Sequence, residues 1–438
     1  MKLSQVNAEA DPGLVRFFSA RYENLVDGSR LVISNKGQEF STSLNGVSLS
    51  DNPHSRWWHN YLMGGDVIAR RDRGTLRIAD LFCGSGGLSQ GVTLGALSLG
   101  YRVKHQLAVD IDNDALRVTM ANHRPKIAIN ESTANLVSYS LRHVGEEVAF
   151  AQMPVIQNQQ VESLVGEIDV VMGGPPCQGH STANKNRKFF DARNLLYLTV
   201  PALAIALDAP VVIIENVPGV QASQQGVVQN TWKILESYGY SVTGAVINAA
   251  DIGWAQSRRR YFMVGSKMSV PLDLKSVIIP SLRHPATPIS EVIGDLVDHE
   301  GGTFMTQLSD MSEENSKRMR FLHEHDLHDL PDSERNRSAR EGGTTYRAVY
   351  GRMFWDKPAQ TITTGFMTPG RGRYVHPLRP RTLLPLEAAR LQGFPDTYIF
   401  DAFGQIPART SLAKWIGDAV PTPLGFAAAL SAFTEFHD

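Results

Sequence analysis

The chain has 438 residues, of which 42% are hydrophobic and 20% charged, a composition that is ordinary for a soluble globular enzyme of one large or two moderate domains. The formal net charge of -1 gives no global sign of a polyanionic partner, so a nucleic-acid surface would have to be local. Two cysteines exclude a disulfide framework and a Cys-rich zinc site, and they suit a reducing compartment.

Residues 1–73 are polar and mixed, and they contain the pair Trp57-Trp58 and a basic stretch at 70–73. We expect an N-terminal extension of unknown role, either an extra helix or lid packed on the main domain or an accessory recognition segment. The first residues lack the apolar stretch of a signal peptide. The apolar run 195–217 is interrupted by proline and acidic residues, so it predicts a buried helix and strand rather than a membrane span. We therefore expect a cytoplasmic protein with no membrane contact.

From residue 76 onwards, short apolar runs alternate with segments of helix-like spacing. The predicted strands are 76–81, 106–110, 167–172, 211–215 and 261–264, and the predicted helices are 114–122, 195–207 and 229–238. This alternation predicts an α/β fold with a mostly parallel sheet that is covered on both faces. Ligands of such sheets bind beyond the carboxyl ends of the strands. We assign 74–265 to this main domain.

The regular pattern ends after Gly265. Residues 266–350 are polar with weak periodicity, which suggests a smaller inserted domain. Residues 351–438 complete that domain and return to the main one through helical segments at 384–391 and 412–433. The insert contains His323, His325 and His328, but no cysteine accompanies them, so we predict no metal site.

A glycine-rich turn follows the first predicted strand. Gly84, Gly86 and Gly87 would let the backbone approach a ligand closely, and Asp110 at the end of the next strand could accept the hydroxyls of a ribose. The turn alone is also compatible with a purely structural role. Asp80 would repel a pyrophosphate but suits a cofactor with an amino-acid end, which favours S-adenosylmethionine over NAD.

Cys177 follows another buried strand and the rigid turn 173–176. A lone cysteine is usually a small core residue. Here the turn would hold the thiol at the edge of the sheet, and a stretch rich in Gly, Ser, Asn and Lys follows it, as expected of a movable loop. This pattern favours a nucleophilic cysteine.

Together these motifs resemble the DNA (cytosine-5)-methyltransferases of the bacterial type, whether part of a restriction-modification system or solitary. The hallmark Gly-Pro-Pro-Cys-Gln-Gly stands at 174–179. Other motifs of the family lie before and after it in the family's order, at 80–87, 110–122, 191–195, 215–219, 248–260, 352–364, 387–395 and 417–421. The resemblance implies a Rossmann-like S-adenosylmethionine-dependent methyltransferase domain with a target-recognition region at 266–350.

The resemblance also implies a set of cofactor-binding residues: Asp80, Phe82, Gly84, Gly86, Gly87, Asp110, Ile111, Pro176, Leu196, Asp418, Ala419 and Val420. Two departures stand out, since His180 replaces the usual Phe and Asp418 the usual Asn. The partner of the adenine amino group stays open between Asn130 and Glu131.

Methylation of cytosine carbon 5 requires a nucleophile to add at carbon 6 first, which is the role expected of Cys177. Glu215 could donate a proton to nitrogen 3. The family implies that Arg260 binds the oxygen at carbon 2, and Arg258 could hold Glu215. As the ordinary alternatives, a strand-end Glu is often only a structural hydrogen-bonding group, and such arginines often only pair with surface acids. The sequence does not identify the base that removes the carbon-5 proton, for which water is a candidate.

The target cytosine must leave the stacked duplex. Predicted DNA contacts are Gln178, Ser181, Lys185, Arg187, Lys188, Arg371 and Arg373, with solvated loops as the alternative for the two basic patches that they form. The expected partner is double-stranded DNA, with a restriction endonuclease acting separately and the methyltransferase itself a monomer.

Three alternative functions stay open. A tRNA-methylating enzyme of the same family is the first, although the large insert and the basic stretch at 70–73 favour DNA. A non-catalytic DNA-binding relative is the second, against which stand the intact Cys177, Glu215, Arg258 and Arg260. An NAD-dependent oxidoreductase is the third, and it leaves the Cys177 motif unexplained.

Overall fold

The computed structural model describes residues 18–45, 51–69, 72–144, 147–176, 196–222, 226–335 and 349–436. The strands in these ranges are β1 Phe18–Leu25, β2 Gly28–Asn35, β3 Gln38–Asn45, β4 Val67–Ala69, β5 Thr75–Leu81, β6 Arg102–Val109, β7 Ile127–Ile129, β8 Val137–Ser138, β9 Leu141–Val144, β10 Glu147–Phe150, β11 Val155–Ile156, β12 Val170–Gly173, β13 Val211–Asn216, β14 Ser241–Asn248, β15 Gln256–Ser257, β16 Arg259–Ser266 and β17 Ala359–Gln360. The α-helices are α1 Pro53–Leu62, α2 Gly87–Ser98, α3 Asn113–His123, α4 Gln159–Glu162, α5 Leu196–Ala206, α6 Val227–Ser237, α7 Ile279–Ser281, α8 Ser290–Ile293, α9 Glu313–Glu324, α10 Pro385–Gln392, α11 Arg409–Asp418 and α12 Thr422–Phe433.

The central sheet has seven strands in the order β14-β16-β13-β12-β5-β6-β7. The five strands from β13 to β7 run parallel to one another, whereas β16 is antiparallel to both β13 and β14. This confirms the predicted mostly parallel α/β sheet, including all five strands that the apolar runs indicated. The two edge strands β7 and β14 were not predicted. β7 has only three residues, and only alternate residues of β14 are buried along most of its length.

Both faces of the sheet are covered, as the continuous apolar runs required. Along β13, Val211 and Ile213 belong to one hydrophobic core, and Val212 and Ile214 belong to the other. Helices α2 and α12 contribute to the first core, and α5 and α6 to the second. The apolar run 195–217 is thus helix α5 followed by strand β13, as predicted.

Helices α2 and α12 lie unusually close together because a glycine faces the contact. A Cβ atom at Gly91 would lie 2.5 Å from the carbonyl oxygen of Thr422, so no larger residue fits without a shift of the backbone. The stretch 409–433 is long and apolar enough to cross a membrane by length and composition, but 94% of its most apolar window is buried within the protein. The predicted helical segment 412–433 is broken between α11 and α12, where Pro421 disfavours a helical conformation of the residue before it. This break places residues 418–420 at the end of the sheet.

The N-terminal extension forms an antiparallel sheet, β1-β2-β3-β4, together with α1. Helix α1 agrees with the expected extra helix, whereas the sheet was not expected. Its first three strands have eight residues each and are rich in polar residues, so they gave no clear apolar run. Lys36 and Gly37, between β2 and β3, both have positive φ, as a tight hairpin turn requires. Trp57 and Trp58 of α1 are buried against Phe426 of α12, so the extension shares the core of the main domain.

The inserted region has a small core of its own. Met319 and Leu322 of α9 pack with Leu330, Tyr350 and Val375, so this core joins residues on both sides of position 350. The segment before it is different, because residues of 274–293 pack into the core of the main domain. The first part of the predicted insert therefore belongs to the main domain, and only the later part forms a separate unit.

Candidate active site

A cavity of about 400 Å³ lies at the carboxyl ends of β5, β6, β12 and β13. Its volume falls within the range of roughly 300–1,000 Å³ that is typical of small-molecule sites. Twelve of the predicted catalytic and cofactor-binding residues line it, namely Phe82, Gly84, Gly87, Asp110, Ile111, Pro176, Glu215, Arg258, Arg260, Asp418, Ala419 and Val420. The structure thus brings together residues from six separate segments of the chain.

Asp110 fixes the shape of the glycine turn. One of its carboxylate oxygens accepts a hydrogen bond from the Gly84 amide (2.7 Å) and the other from the Asp112 amide (2.8 Å). Each carboxylate oxygen can accept a second hydrogen bond, so the same group could still accept ribose hydroxyls. Next to it, the Ile111 side chain is 77% exposed and offers an apolar surface at the cavity.

Gly86 does not line the cavity, although it was predicted to contact the cofactor. A Cβ atom there would lie 2.4 Å from the Tyr398 hydroxyl and 2.9 Å from the His123 ring. The Tyr398 hydroxyl instead donates to the carbonyl oxygen of Ser85 at 2.5 Å. The absence of a side chain at Gly86 therefore lets the Tyr398 hydroxyl reach and bind the backbone of the glycine turn.

Asp80 is buried beneath the turn rather than in the cavity wall. One carboxyl oxygen accepts a hydrogen bond from the Ser89 hydroxyl (2.6 Å), and the other has no hydrogen-bond partner among the residues that the structure describes. Burial raises the pKa of Asp80 to about 7. The position is close to the turn, as predicted, but the contact with a cofactor stays a prediction. Leu196, at the start of α5, also lies outside the lining.

Glu215 forms an ion pair with Arg260 at the end of β13. Arg260 Nε lies 2.9 Å from Glu215 Oε1, and both side chains are largely buried. Burial raises the pKa of Glu215, although the charges of Arg260 and Arg258 act in the opposite direction. Burial thus makes the protonated form of this carboxyl group more accessible than in an exposed glutamate.

The expectation that Arg258 holds Glu215 is wrong in this structure, where Arg260 does so. Arg258 is almost fully buried and donates to the carbonyl oxygen of Ile362 at 2.6 Å. Burial lowers the pKa of Arg258 to about 9, so the guanidinium still carries its charge at neutral pH. Both arginines line the cavity, but Arg258 is tied to the segment around Ile362, which comes from beyond the insert.

The turn before Cys177 rests against Glu215 and Asn216. A Cβ atom at Gly174 would lie 3.0 Å from Glu215 Oε2, and the Asn216 side-chain amide donates to the carbonyl oxygen of Pro175 at 3.1 Å. Cys177 itself lies outside the described residues, which end at Pro176 on this side. The other cysteine, Cys83, is buried, which raises the pKa of its thiol well above its usual range. Cys83 is therefore a poor nucleophile.

Sequence reasoning missed several lining residues, among them Asn216, Lys414 and Trp415. Lys414 Nζ lies 3.3 Å from Asp418 Oδ2 and 3.7 Å from Asp112 Oδ2. The spacing of four residues between Lys414 and Asp418 on a predicted helix was the available signal. No signal joined either residue to Asp112, which lies about 300 positions earlier.

The predicted DNA contacts fall into three groups. Gln178, Ser181, Lys185, Arg187 and Lys188 lie outside the described residues. Arg371 is exposed. The Arg373 side chain is only 10% exposed, because it donates to the carbonyl oxygens of His328 and Arg352 and pairs with Asp329. Arg371 is thus available to a phosphate, whereas Arg373 is engaged within the protein.

The remaining polar candidates make local contacts. Asn130 donates to the carbonyl oxygens of Asp110 and Ile111 (3.0 Å each), and Glu131 accepts from Asn135. The rings of His323, His325 and His328 each contact a backbone carbonyl oxygen. Among the described residues, no group of three or more His, Cys, Asp and Glu side chains has the arrangement of a metal site.

Known proteins are similar to the part of this chain that forms the cavity. The family model described as C-5 cytosine-specific DNA methylase matches residues 76–433. The type II methyltransferase M1.BsuMI of Bacillus subtilis is 38% identical over 356 residues, which cover 81% of this chain and 80% of that protein. The type II methylase M.HgiDII of Herpetosiphon aurantiacus is 30% identical over 377 residues, which cover 82% and 96%. A solved structure of a DNA modification methyltransferase encoded within an E. coli prophage has a similar fold, with a TM-score of 0.55, 21% identity and coverage of 83% and 100%. The matched region contains every residue of the cavity lining and begins after the N-terminal sheet.

Proposed function

Because the chain belongs to the C-5 cytosine-specific DNA methylase family, it is a DNA (cytosine-5)-methyltransferase that uses S-adenosylmethionine, and we propose that Cys177 is its covalent nucleophile. The observation that supports this proposal is the position of Glu215 and Arg260 beside the turn 174–176, at the wall of the cavity. The next residue after that turn is Cys177, and the other cysteine of the chain is buried with a raised pKa.

The residues of the cavity suit this methyl donor. Asp110 can accept further hydrogen bonds from ribose hydroxyls, and Ile111 offers an apolar surface for a base. Apart from its chain neighbours, no described residue comes within 4 Å of the position that a Cβ atom would take at Gly84. Carboxylates at the cavity match the ammonium group of the donor's amino-acid end. When bound, the donor supplies an electrophilic methyl group.

The proposed reaction begins with the Cys177 thiolate. Its sulfur forms a bond to carbon 6 of the cytosine, and the electrons of the carbon 5–carbon 6 double bond move so that carbon 5 becomes nucleophilic. Glu215 gives its carboxyl proton to nitrogen 3 and thereby neutralises the charge that develops on the ring. Carbon 5 then takes the methyl group, and the donor leaves as a neutral thioether.

The enzyme is regenerated by elimination. A base removes the proton from carbon 5, the electrons of that bond restore the double bond, and the sulfur–carbon 6 bond breaks to release the Cys177 thiolate. The proton on nitrogen 3 returns to Glu215. Water is a candidate for the base. Arg260 keeps Glu215 oriented through its Nε, and its other nitrogens can donate to the oxygen at carbon 2.

The cavity lies in the protein at the end of the sheet, so a cytosine can reach it only outside the stacked duplex, at a cost of a few kcal/mol. We propose that the segment 178–193 contacts the phosphates of the DNA around the flipped base. Its sequence carries four basic residues and one acidic residue, a local charge of about +3 (4 − 1). The segment lies outside the described residues, so the proposal depends on its composition.

We further propose that the inserted unit built around Met319, Leu322, Leu330, Tyr350 and Val375 (the recognition unit) reads a short duplex site, and that the protein acts in the cytoplasm as a monomer. The relatives named above are called type II methyltransferases, which supports a role beside a separate restriction endonuclease. Among the proposed DNA contacts, Arg371 is exposed and packs against Gly365, three residues after the Ile362 that accepts from Arg258.

The decisive experiment combines labelling with trapping. The full chain is incubated with labelled S-adenosylmethionine and unmethylated genomic DNA, and modified cytosines are mapped. The expected result is methylation at carbon 5 in one short sequence context. DNA with 5-fluorocytosine at that site should form a stable covalent complex, because fluorine cannot leave as a proton does.

Two variants complete the test. Cys177→Ser should form no adduct, whereas Ser163→Ala, at an exposed serine after α4, should behave as the wild type. An adduct that survives in Cys177→Ser would disprove the role of Cys177. Labelled tRNA beside unlabelled DNA would contradict the proposed substrate.

A further inference from the structure

We propose that Lys414 binds the α-carboxylate of the donor's amino-acid end and so selects cofactors that carry this group. The inference deepens the function proposed above and depends on the use of S-adenosylmethionine. Lys414 lies on α11, one turn before Asp418, and lines the same cavity as Glu215 and the glycine turn.

Among the charged residues of the cavity lining, Lys414 is the cation that is most available to a ligand. Among the lining residues that the structure describes, the acidic side chains are Asp110, Asp112, Glu215 and Asp418, and the basic ones are Arg258, Arg260 and Lys414. A lining of this kind matches the ammonium group of an amino acid but repels its carboxylate. A bound amino-acid end therefore needs a cation that is available to it.

Both arginines are already engaged within the protein through some of their nitrogens, and both are more buried than Lys414. Arg260 pairs with Glu215 and also donates to the carbonyl oxygen of Arg259. Arg258 is buried and donates to the carbonyl oxygen of Ile362. Lys414, in contrast, has a side chain that is 56% exposed, and an ammonium group has three donors. It can keep its acidic neighbours and still donate to a ligand.

Lys414 also stands between the two walls of the cavity. Its Nζ lies 3.3 Å from Asp418 on α11 and 3.7 Å from Asp112, which follows β6 and caps α3 by accepting from the Ala115 amide at 3.1 Å. Partial burial acts to lower the pKa of Lys414, but the carboxylates of Asp418 and Asp112 outweigh it and raise the pKa. The amine is therefore charged wherever the enzyme works near neutral pH.

Asp418 makes this cation necessary. Where the family usually has an uncharged amide, this chain carries a carboxylate at the cavity, which adds a negative charge beside the expected place of the donor. Lys414 offsets that charge and provides a partner for the ligand. A charged hydrogen bond of this kind contributes enough to change binding by roughly tenfold or more.

The test measures binding rather than turnover. Dissociation constants of S-adenosylhomocysteine and of its decarboxylated analogue, which keeps the amino group, are determined by calorimetry with the full chain. The wild type should prefer the carboxylated ligand by about tenfold or more. Lys414→Met should lose this preference by weakening S-adenosylhomocysteine alone, and Lys414→Arg should retain most of it.

Other outcomes would overturn the inference. Equal weakening of both ligands by Lys414→Met would mean that the lysine supports the cavity walls through Asp112 and Asp418 and makes no contact with the carboxylate. An unchanged affinity for both would exclude any role in binding. Failure of the wild-type chain to bind S-adenosylhomocysteine at all would instead contradict the use of this cofactor. Thermal unfolding of each variant shows whether the fold is retained.

Discussion

Arg260 Nε lies 2.9 Å from Glu215 Oε1, in a pair whose side chains are 16% and 9% exposed. The pair joins the adjacent antiparallel strands β13 and β16, so its geometry is set by the sheet rather than by a loop. Burial raises the pKa of Glu215 while Arg260 opposes that rise, which leaves a carboxyl group able to give and take a proton. A general acid in this position needs both features.

Replacement of Glu215 by Gln should lower the single-turnover rate of methylation by about 100-fold or more, because the amide keeps the shape but cannot give up a proton in the same way. The protonated form of Glu215 is the active one in our mechanism. The methylation activity of the wild type should therefore be retained below the raised pKa of Glu215 and lost as the pH increases through that pKa.

This decline should disappear in Glu215→Gln. Rates are measured across pH with saturating donor, and the affinity for S-adenosylhomocysteine serves as the control, since it should not change. A variant with a wild-type rate would exclude Glu215 as the proton donor.

Replacing each of the two cavity arginines by Met should affect different properties, the stability of the fold for Arg258 and the methylation rate for Arg260. Arg258→Met should lower the free energy of unfolding by about 1–3 kcal/mol, because the buried carbonyl oxygen of Ile362 loses its charged donor. Arg260→Met should mainly lower the methylation rate, since it frees the Glu215 carboxyl group. Chemical denaturation and single-turnover rates of both variants test this contrast. The reverse pattern would show that their assignment to fold and chemistry is wrong.

Arg371 and Arg373 provide a matched pair for DNA binding. Arg371→Ala should weaken duplex binding and reduce the slope of log affinity against log salt concentration by about one. Arg373→Ala should instead destabilise the recognition unit, because this side chain pairs with Asp329 and two backbone carbonyl oxygens. Salt titrations of binding and thermal unfolding separate the two effects. An equal loss of salt dependence in both variants would contradict this distinction.

Trp57→Ala should destabilise the whole protein by about 3–5 kcal/mol, because the indole is fully buried in the core that α1 shares with α12. Denaturant unfolding should remain one transition, followed by both fluorescence and loss of cofactor binding. If the N-terminal unit unfolded alone while cofactor binding persisted, it would be an independent domain.

The sequence was informative where a strand is buried on both faces. The apolar runs at β5, β12 and β13 are typical of buried parallel strands. Because the carboxyl ends of such strands share one edge of the sheet, the polar residues that follow them meet there. The amphipathic N-terminal strands gave no such signal, because polar residues alternate in them and their pairing is decided by hairpin turns. Their sheet appeared only in the structure.

The finding that Arg260 rather than Arg258 pairs with Glu215 shows a second limit. Residues two apart near a strand project to the same side, so spacing alone cannot tell which one meets Glu215. The answer depends on the segment around Ile362, which lies 104 residues further along the chain and takes the guanidinium of Arg258. Lys414 was missed for the same kind of reason, since Asp112 meets it only through the tertiary fold.

The cavity proposed to bind the methyl donor is built from segments at opposite ends of the matched region. The Ser85 hydroxyl donates to the carbonyl oxygen of Trp415, 330 residues later, and α12 then packs on α2. During translation, the glycine turn would thus leave the ribosome long before its opposite wall exists. A nascent chain whose residues 414–420 are still inside the ribosome lacks one wall of the cavity, so it cannot yet enclose a ligand there.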